Sequence, residues 1–399
     1  MTANRDVTAC VLGDMDLLRP LVLAGVGCAI VARPGSPASY SRFGAPAVEW
    51  VDHWSDPGLL VDRLVEFGRA QPSPPVLFYQ STGDLLMISR NRERLSEAFR
   101  FVITNAELVE DLTDKARFHD LAERLGLPVP ATRFLNPADD PHGWRLDSGF
   151  PLLLKPVVRE FAKWRKVAPD SKAVTVHGNA ELEELWPRLA TANVAILAQE
   201  LIPGPESRIE SYHTYIDESG RVVAEFAGRK IRTRPAEFGY STAVALTDAA
   251  DVIEVGRGVA RRLGITGVAK LDFKRAPDGK LLLLEVNPRF TLWHHPAAVG
   301  GLNIPALVFA DLTGGDRPPT ARARAGVRWC DPWEDAGAAR ESGELDARWV
   351  LDTIRCDAKS GFSWDDPMPL LRGVVAPRVR TRARRRLGRH RAGRSRAEV

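Results

Sequence analysis

The chain has 399 residues, 44% of them hydrophobic and 27% charged. These are the proportions of a globular protein with two or three domain-sized cores, and they exclude a disordered or collagen-like chain. The formal net charge of +4 is unevenly spread: residues 378–399 hold ten arginines and one glutamate, which leaves the rest of the chain at −5.

The N-terminal residues Met1–Asp6 are polar and read as no signal peptide. The most apolar early run, Leu17–Ala32, is interrupted by Arg19, Pro20, Gly25 and Gly27, too short and broken to span a bilayer. The four cysteines, Cys10, Cys28, Cys330 and Cys356, form no C-x-x-C pair. The expectation is a cytoplasmic protein with reduced, buried thiols.

Thr8–Gly13 reads as a buried strand, and Asp14–Ala24 as a helix with an acidic start. Cys28–Arg33 is a second strand, Leu59–Arg69 a helix and Val76–Tyr79 a third strand. This β-α-β-α rhythm predicts a parallel sheet under helices. Gly13 stands where a dinucleotide fold binds phosphate, but without G-x-G-x-x-G no dinucleotide site is expected.

From Leu112 the character changes. Asp114–Gly126 is an amphipathic helix with a glycine stop, ended by Leu127-Pro-Val-Pro130. Phe150–Pro156 is an apolar strand that carries Lys155 near its end, Ala180–Ala190 a helix and Val194–Glu200 a strand. Ser211–Ile216 and Val222–Phe226 form a hairpin, Asp251–Leu263 a helix, and Val268–Arg275 with Leu281–Asn287 a second hairpin about Asp278-Gly279. Residues 327–371, with four tryptophans, read as a small packed appendage, and the Arg-rich end as a disordered tail.

The second hairpin carries the chemistry. Alternation puts Glu285 and Asn287 on one face of their strand and Lys270 and Asp272 on one face of the other. Two carboxylates and an amide oxygen meeting on one sheet face are costly unless a cation joins them, and hard oxygen ligands suit Mg²⁺. Alone, the set fits either a metal site or the solvated polar face of an edge hairpin. Arg289, just beyond, has the charge to neutralise a transferring phosphoryl group.

With these residues in view, the chain from about Thr8 to Gly315 resembles the ATP-grasp superfamily. Glu285-Val-Asn-Pro-Arg289, thirteen residues after Asp272, carries the resemblance most specifically, with Asp114-Lys115 and Leu127-Pro-Val-Pro130 in support. The resemblance implies a fold of α/β and α+β parts: a Rossmann-like domain over residues 1–112, a two-lobed ATP-grasp domain over 113–315, an appendage over 316–377 and the tail 378–399. It implies that Lys115 and Lys155 contact ATP. Glu200 would bind the adenine amino group, Leu201 and Ile202 form the hinge, and Glu206 bind the ribose. Asp272, Glu285 and Asn287 would hold Mg²⁺, with Mn²⁺ as a substitute, while Lys270 and Arg289 face the γ-phosphate.

One departure stands out: the stretch 157–170, where such proteins carry a glycine-rich loop, has no glycine. Arg159, Lys163, Arg165 and Lys166 stand there instead and are expected to cover the phosphates in part. Gly228–Gly239, Tyr79–Asp84 and Trp364–Pro369 resemble segments of carboxylate–amine ligases likened to D-aspartate ligases. That resemblance implies activation of a small carboxylate as an acyl phosphate and its capture by an amine. Alternatives are carbamoyl-phosphate or carboxylase-type chemistry, and a non-catalytic ATP-binding regulator.

Arg229 and Lys230 point opposite ways on a strand, so Lys230 or Arg232 is expected at phosphate or substrate carboxylate. Trp293 is expected to wall off the site, and His294 and His295 to line the pocket or pack. A homodimer is one expected assembly. The tail lacks interleaved aromatics and is expected to be solubilising rather than a nucleic-acid or membrane ligand.

Overall fold

The computed structural model describes residues 8–136, 149–157, 161–169, 171–319 and 321–379. The Arg-rich tail beyond Val379, Met1–Asp6 and part of the glycine-free stretch, Arg159 included, lie outside the described residues.

Four short parallel strands come first: β1 (Ala9–Leu12), β2 (Cys28–Val31), β3 (Gly44–Pro46) and β4 (Val76–Tyr79), in the order β3-β2-β1-β4. Every residue of β1, β2 and β4 is buried, as expected of parallel strands covered on both faces. The helices Met15–Leu23 and Thr82–Arg90 follow β1 and β4, capped by Asp14 and by a Ser81/Asp84 capping box.

A second, antiparallel sheet has β5 (Thr132–Leu135), β6 (Leu152–Pro156), β7 (Val174–Val176) and β8 (Ile196–Glu200) in the order β5-β8-β6-β7. Leu152, Leu154, Ile196 and Ala198 pack one of its faces against Trp164, Trp186 and Leu189. Alternation turns Lys155 to the opposite face.

The large sheet holds β9 (Ile209–Ile216), β10 (Val222–Arg234), β11 (Tyr240–Thr247), β12 (Gly267–Arg275), β13 (Leu281–Asn287), β14 (Arg328–Cys330) and β15 (Ala358–Lys359). Its order is β13-β12-β9-β10-β11-β14-β15. Tyr212, Ala227, Leu271 and Phe273 pack one face under the helix Ala250–Leu263. The approach is close: a Cβ on Gly256 would fall 2.3 Å from Tyr212. Residues of the other parity, among them Ser211, His213, Lys270 and Asp272, look the other way. The appendage is therefore no bystander, because β14 and β15 extend this sheet.

Asp16, in the first turn of its helix, joins three parts of the chain. Its carboxylate accepts from Trp329 Nε1 at 2.8 Å and Ser360 Oγ at 2.8 Å, and lies 2.8 Å from His295 Nδ1. All four cysteines are buried and free. Among the described residues no helix is long and apolar enough to cross a membrane.

Candidate nucleotide and phosphoryl-transfer site

The register of β12 on β13 pairs Asp272 with Glu285 and Lys270 with Asn287. Direct cross-strand partners share a face, so these four side chains meet where alternation expects them. A bulge between Asp272 and Phe273 ends the regular pairing beside Asp272. On the far side of β12, Asp272 pairs with Ser211 and Lys270 with His213.

The Asp272 carboxylate is buried. It accepts from the Ser211 hydroxyl on one oxygen and from Lys270 Nζ on the other, at 2.5 Å. Burial pushes its pKa up, but the charges of Lys270 and Lys230 outweigh this and hold it well below the usual carboxylate range. Glu285 is exposed and accepts from the Asn287 amide at 3.0 Å. Arg289 donates to Asn287 Oδ1 at 3.0 Å and to the backbone carbonyl of Gln80 at 2.8 Å. The hairpin is thereby tied to the end of β4.

Opposite this face stands the small sheet. Lys155 Nζ donates to Gln199 Oε1 at 3.0 Å. Burial lowers its pKa, while Glu285 and Glu206 across the cleft act to raise it. Lys115 donates to the Pro156 carbonyl. Glu200 ends β8 and accepts from the Ala131 amide at 3.4 Å; Leu201 is half-buried and Ile202 buried just beyond. Glu206, in a short helical turn, lies 3.7 Å from Lys274. Lys155, Lys230, Lys270, Lys274, Glu206, Asp272 and Glu285 thus share one cleft, where cations outnumber carboxylates.

β10 settles which base faces inward. Gly228 pairs with Ser211 and Phe226 with His213, so Lys230 shares their face and Arg229 points to solvent. Arg232 is held elsewhere in this structure. A bulge follows Lys230, and the Arg232 guanidinium binds Asp335 at 2.7 Å and Glu344 at 3.0 Å in the appendage. The expected loop over the phosphates also differs. Residues 161–167 form a helix anchored by buried Trp164, and Arg165 and Lys166 are exposed.

Trp293 lies under the site. A Cβ on Gly228 would come 2.3 Å from its ring, so glycine there makes room for the indole. His213 is fully buried, stacked 4.4 Å from Phe226, and neither of its ring nitrogens has a hydrogen-bond partner among the described residues. His294 packs beside it at 6.3 Å and accepts from the Thr291 amide. Both histidines are core residues at the edge of the site.

Sequence reasoning missed Ser211, Gln199 and Lys274. Each reaches the cleft through pairing between distant strands, and Lys274 alone carried a local signal, sharing parity with Lys270 and Asp272.

A pocket of about 340 Å³ opens at the carboxyl ends of β1, β2 and β4, lined by Gly13, Arg33, Trp50, His53, Gln80 and Asp84 among others. Strand order reverses between β1 and β4, and such switch points are where open parallel sheets bind ligands. His53 Nδ1 lies 2.9 Å from Asp84, whose hydrogen bond raises the imidazole pKa. Burial raises Asp14, at the rim, to about 6. Gln80 carries Arg289 on its carbonyl, so pocket and cleft adjoin.

Over part of its length the chain is similar to ATP-grasp proteins. Residues 193–331 match the family described as ATP-grasp in the biosynthetic pathway with Ter operon. The chain is 25% identical over 233 residues to D-aspartate ligase of Enterococcus faecium (strain Aus0004), covering 56% of this chain and 55% of that protein. It thus spans about half the length of that relative. Among solved structures, the ADP complex of N5-carboxyaminoimidazole ribonucleotide synthetase superposes with a TM-score of 0.61 at 14% identity, over 85% of each chain. The L-amino acid ligase from Bacillus licheniformis gives 0.57 at 17% identity, over 78% of this chain and 75% of that one. At these identities the structural likenesses establish the fold.

Proposed function

We propose that this chain is an ATP-dependent carboxylate–amine ligase, releasing ADP and phosphate. The observation that carries the reading is the pairing of Asp272 with Glu285 and Lys270 with Asn287, with Arg289 reaching from Asn287 to Gln80.

The donor set fits a Mg²⁺–nucleotide. Asp272, Glu285 and Asn287 offer hard oxygens with lone pairs to spare, and the surplus of lysine favours a polyphosphate. These three residues would hold Mg²⁺, or Mn²⁺, whose charge would offset that of the phosphate oxygens. Lys115 and Lys155 would contact ATP, Lys155 at its phosphates, Glu200 would accept the adenine amino hydrogen beside Leu201 and Ile202, and Glu206 would accept the ribose hydroxyls. Lys230, Lys270 and Arg289 would stabilise charge on the transferring group.

In the first step a carboxylate oxygen attacks the γ-phosphorus. The new O–P bond forms as the bridging P–O bond breaks, and ADP leaves. An amine nitrogen then attacks the acyl carbon; the C–N bond forms, the C–O bond to phosphate breaks, and the amine gives up a proton. The chain's part is to position reactants and neutralise charge, and no covalent nucleophile is required. The pocket beside Gln80 would take one small substrate. Arg33, in its lining, would meet a carboxylate there. The name of the E. faecium relative makes amino acids the first class to test.

The test is release of ADP and phosphate over pairs of amino acids and small carboxylates, with hydroxylamine added to trap acyl phosphate. Turnover that needs an acid and yields hydroxamate supports the reading. ATP binding without phosphate release across the panel would favour a regulator, and bicarbonate-dependent turnover a carboxylase-type enzyme.

A further inference from the structure

The segment between β6 and β7 leaves the small sheet just after Lys155 and rejoins it at Val174. Leu154 pairs with Val174, so the residues immediately before Val174 lie beside the end of β6. Lys155 and the Pro156 carbonyl that Lys115 binds are at that same end. Lys172 is the residue delivered there. Its backbone is fixed on both sides: Trp164 Nε1 donates to the Ser171 carbonyl at 2.8 Å, and Ser171 Oγ to the Ala173 carbonyl at 2.6 Å.

The Lys172 ammonium sits 3.1 Å from the centroid of the Tyr240 ring. Tyr240 opens β11 on the other lobe and is itself 73% exposed, so burial does not explain its position. The turn that presents it is tight. Thr233 Oγ1 donates to the Ala236 carbonyl at 2.7 Å, and a Cβ on Gly239 would fall 2.0 Å from the Pro235 carbonyl oxygen. Arg234 pins the turn to the appendage through Glu334 at 2.9 Å and Glu341 at 2.8 Å.

Lys172 is half-buried between the lobes and is acted on by Glu285 and Lys230, two of the charges that surround Lys155. A lysine gains little from such a place unless an anion joins it. A cation on a ring face keeps N–H donors for an oxygen acceptor. We infer that Lys172 is a further phosphate contact for the nucleotide in this cleft, positioned by the ring of Tyr240. A side-chain ammonium supplies here what a glycine-rich loop supplies with backbone amides. The inference rests on the ATP reading above.

Calorimetric titration of the full chain, with Mg²⁺, separates the possibilities. The probes are a non-hydrolysable ATP analogue and adenosine. Lys172→Met should weaken the analogue on the order of tenfold, the effect of losing one charge-assisted contact, and leave adenosine unchanged. Tyr240→Leu should weaken the analogue in the same direction by about threefold, while Tyr240→Phe, which keeps the ring face, should bind as the unmodified chain does. Analogue affinity unchanged in Lys172→Met would overturn the phosphate contact, and so would an equal loss for adenosine. Unchanged affinity in Tyr240→Leu would overturn the positioning role. An unmodified chain that binds neither probe would sink the ATP reading itself, a result distinct from binding that ignores Lys172.

Discussion

Asp272 and Glu285 stand directly opposite one another on β12 and β13, yet one is buried and the other exposed. Their replacements should therefore behave differently. Glu285→Gln should lower phosphate release by about 10²-fold or more with stability unchanged to within roughly 0.5 kcal/mol. Asp272→Asn should also abolish turnover, but it leaves Lys270 buried beside a neutral group and should cost about 3–5 kcal/mol of stability. Denaturant titration alongside phosphate release checks both.

Arg232 offers a control outside the cleft. Its partner Asp335 is buried and also accepts from Thr242 and from Trp349 Nε1. Arg232→Ala should cost about 3 kcal/mol, seen as a lowered denaturant midpoint, while nucleotide affinity stays within about twofold, as expected of a mutation that loses no phosphate contact. A tenfold loss of ATP affinity would return Arg232 to the site.

His294 makes stability depend on pH. Burial lowers its pKa from 6.5 to about 4, so the folded chain holds it neutral where the unfolded chain is protonated. Stability is complete above about pH 6.5 and is lost as pH falls towards 4, by about 3 kcal/mol for this group. His213, buried beside it and near Lys270, shifts the same way. His294→Leu should shrink the difference in unfolding free energy between pH 7 and pH 4.5 without removing it.

Gly228 sets the floor of the site. Gly228→Ala would place a methyl group against the Trp293 ring and 3.0 Å from the Ala245 carbonyl. The expected cost is about 1–3 kcal/mol, read from thermal unfolding, with a change in Trp293 fluorescence reporting the displaced indole.

Much of this was legible because the decisive features are local. Strand alternation needs only neighbours in sequence, and it put Lys270, Asp272, Glu285 and Asn287 on matching faces before any pairing was known. The parallel N-terminal sheet followed from short apolar runs separated by helical stretches. What stayed hidden depends on contacts between distant segments. The partners of Arg232 lie about a hundred residues away in the appendage, so a base in the middle of a polar strand read as a ligand contact. Residues 161–167 lack the glycines of a loop, and the burial of Trp164 that makes them a helix depends on the small sheet beneath. The two strands that the appendage adds are three and two residues long, too short to register as a pattern.

The carboxylate of Asp16 gathers donors from the segment after β13, from β14 and from the loop after β15. A chain ending at Gly315 would keep Asp16 and His295 but lose Trp329 and Ser360, leaving a buried anion short of two of its three partners. The appendage is thus a keystone: the parts it locks together are expected to melt in one cooperative transition, and shortening the protein from its C-terminal side would loosen the N-terminal sheet some three hundred residues away in sequence.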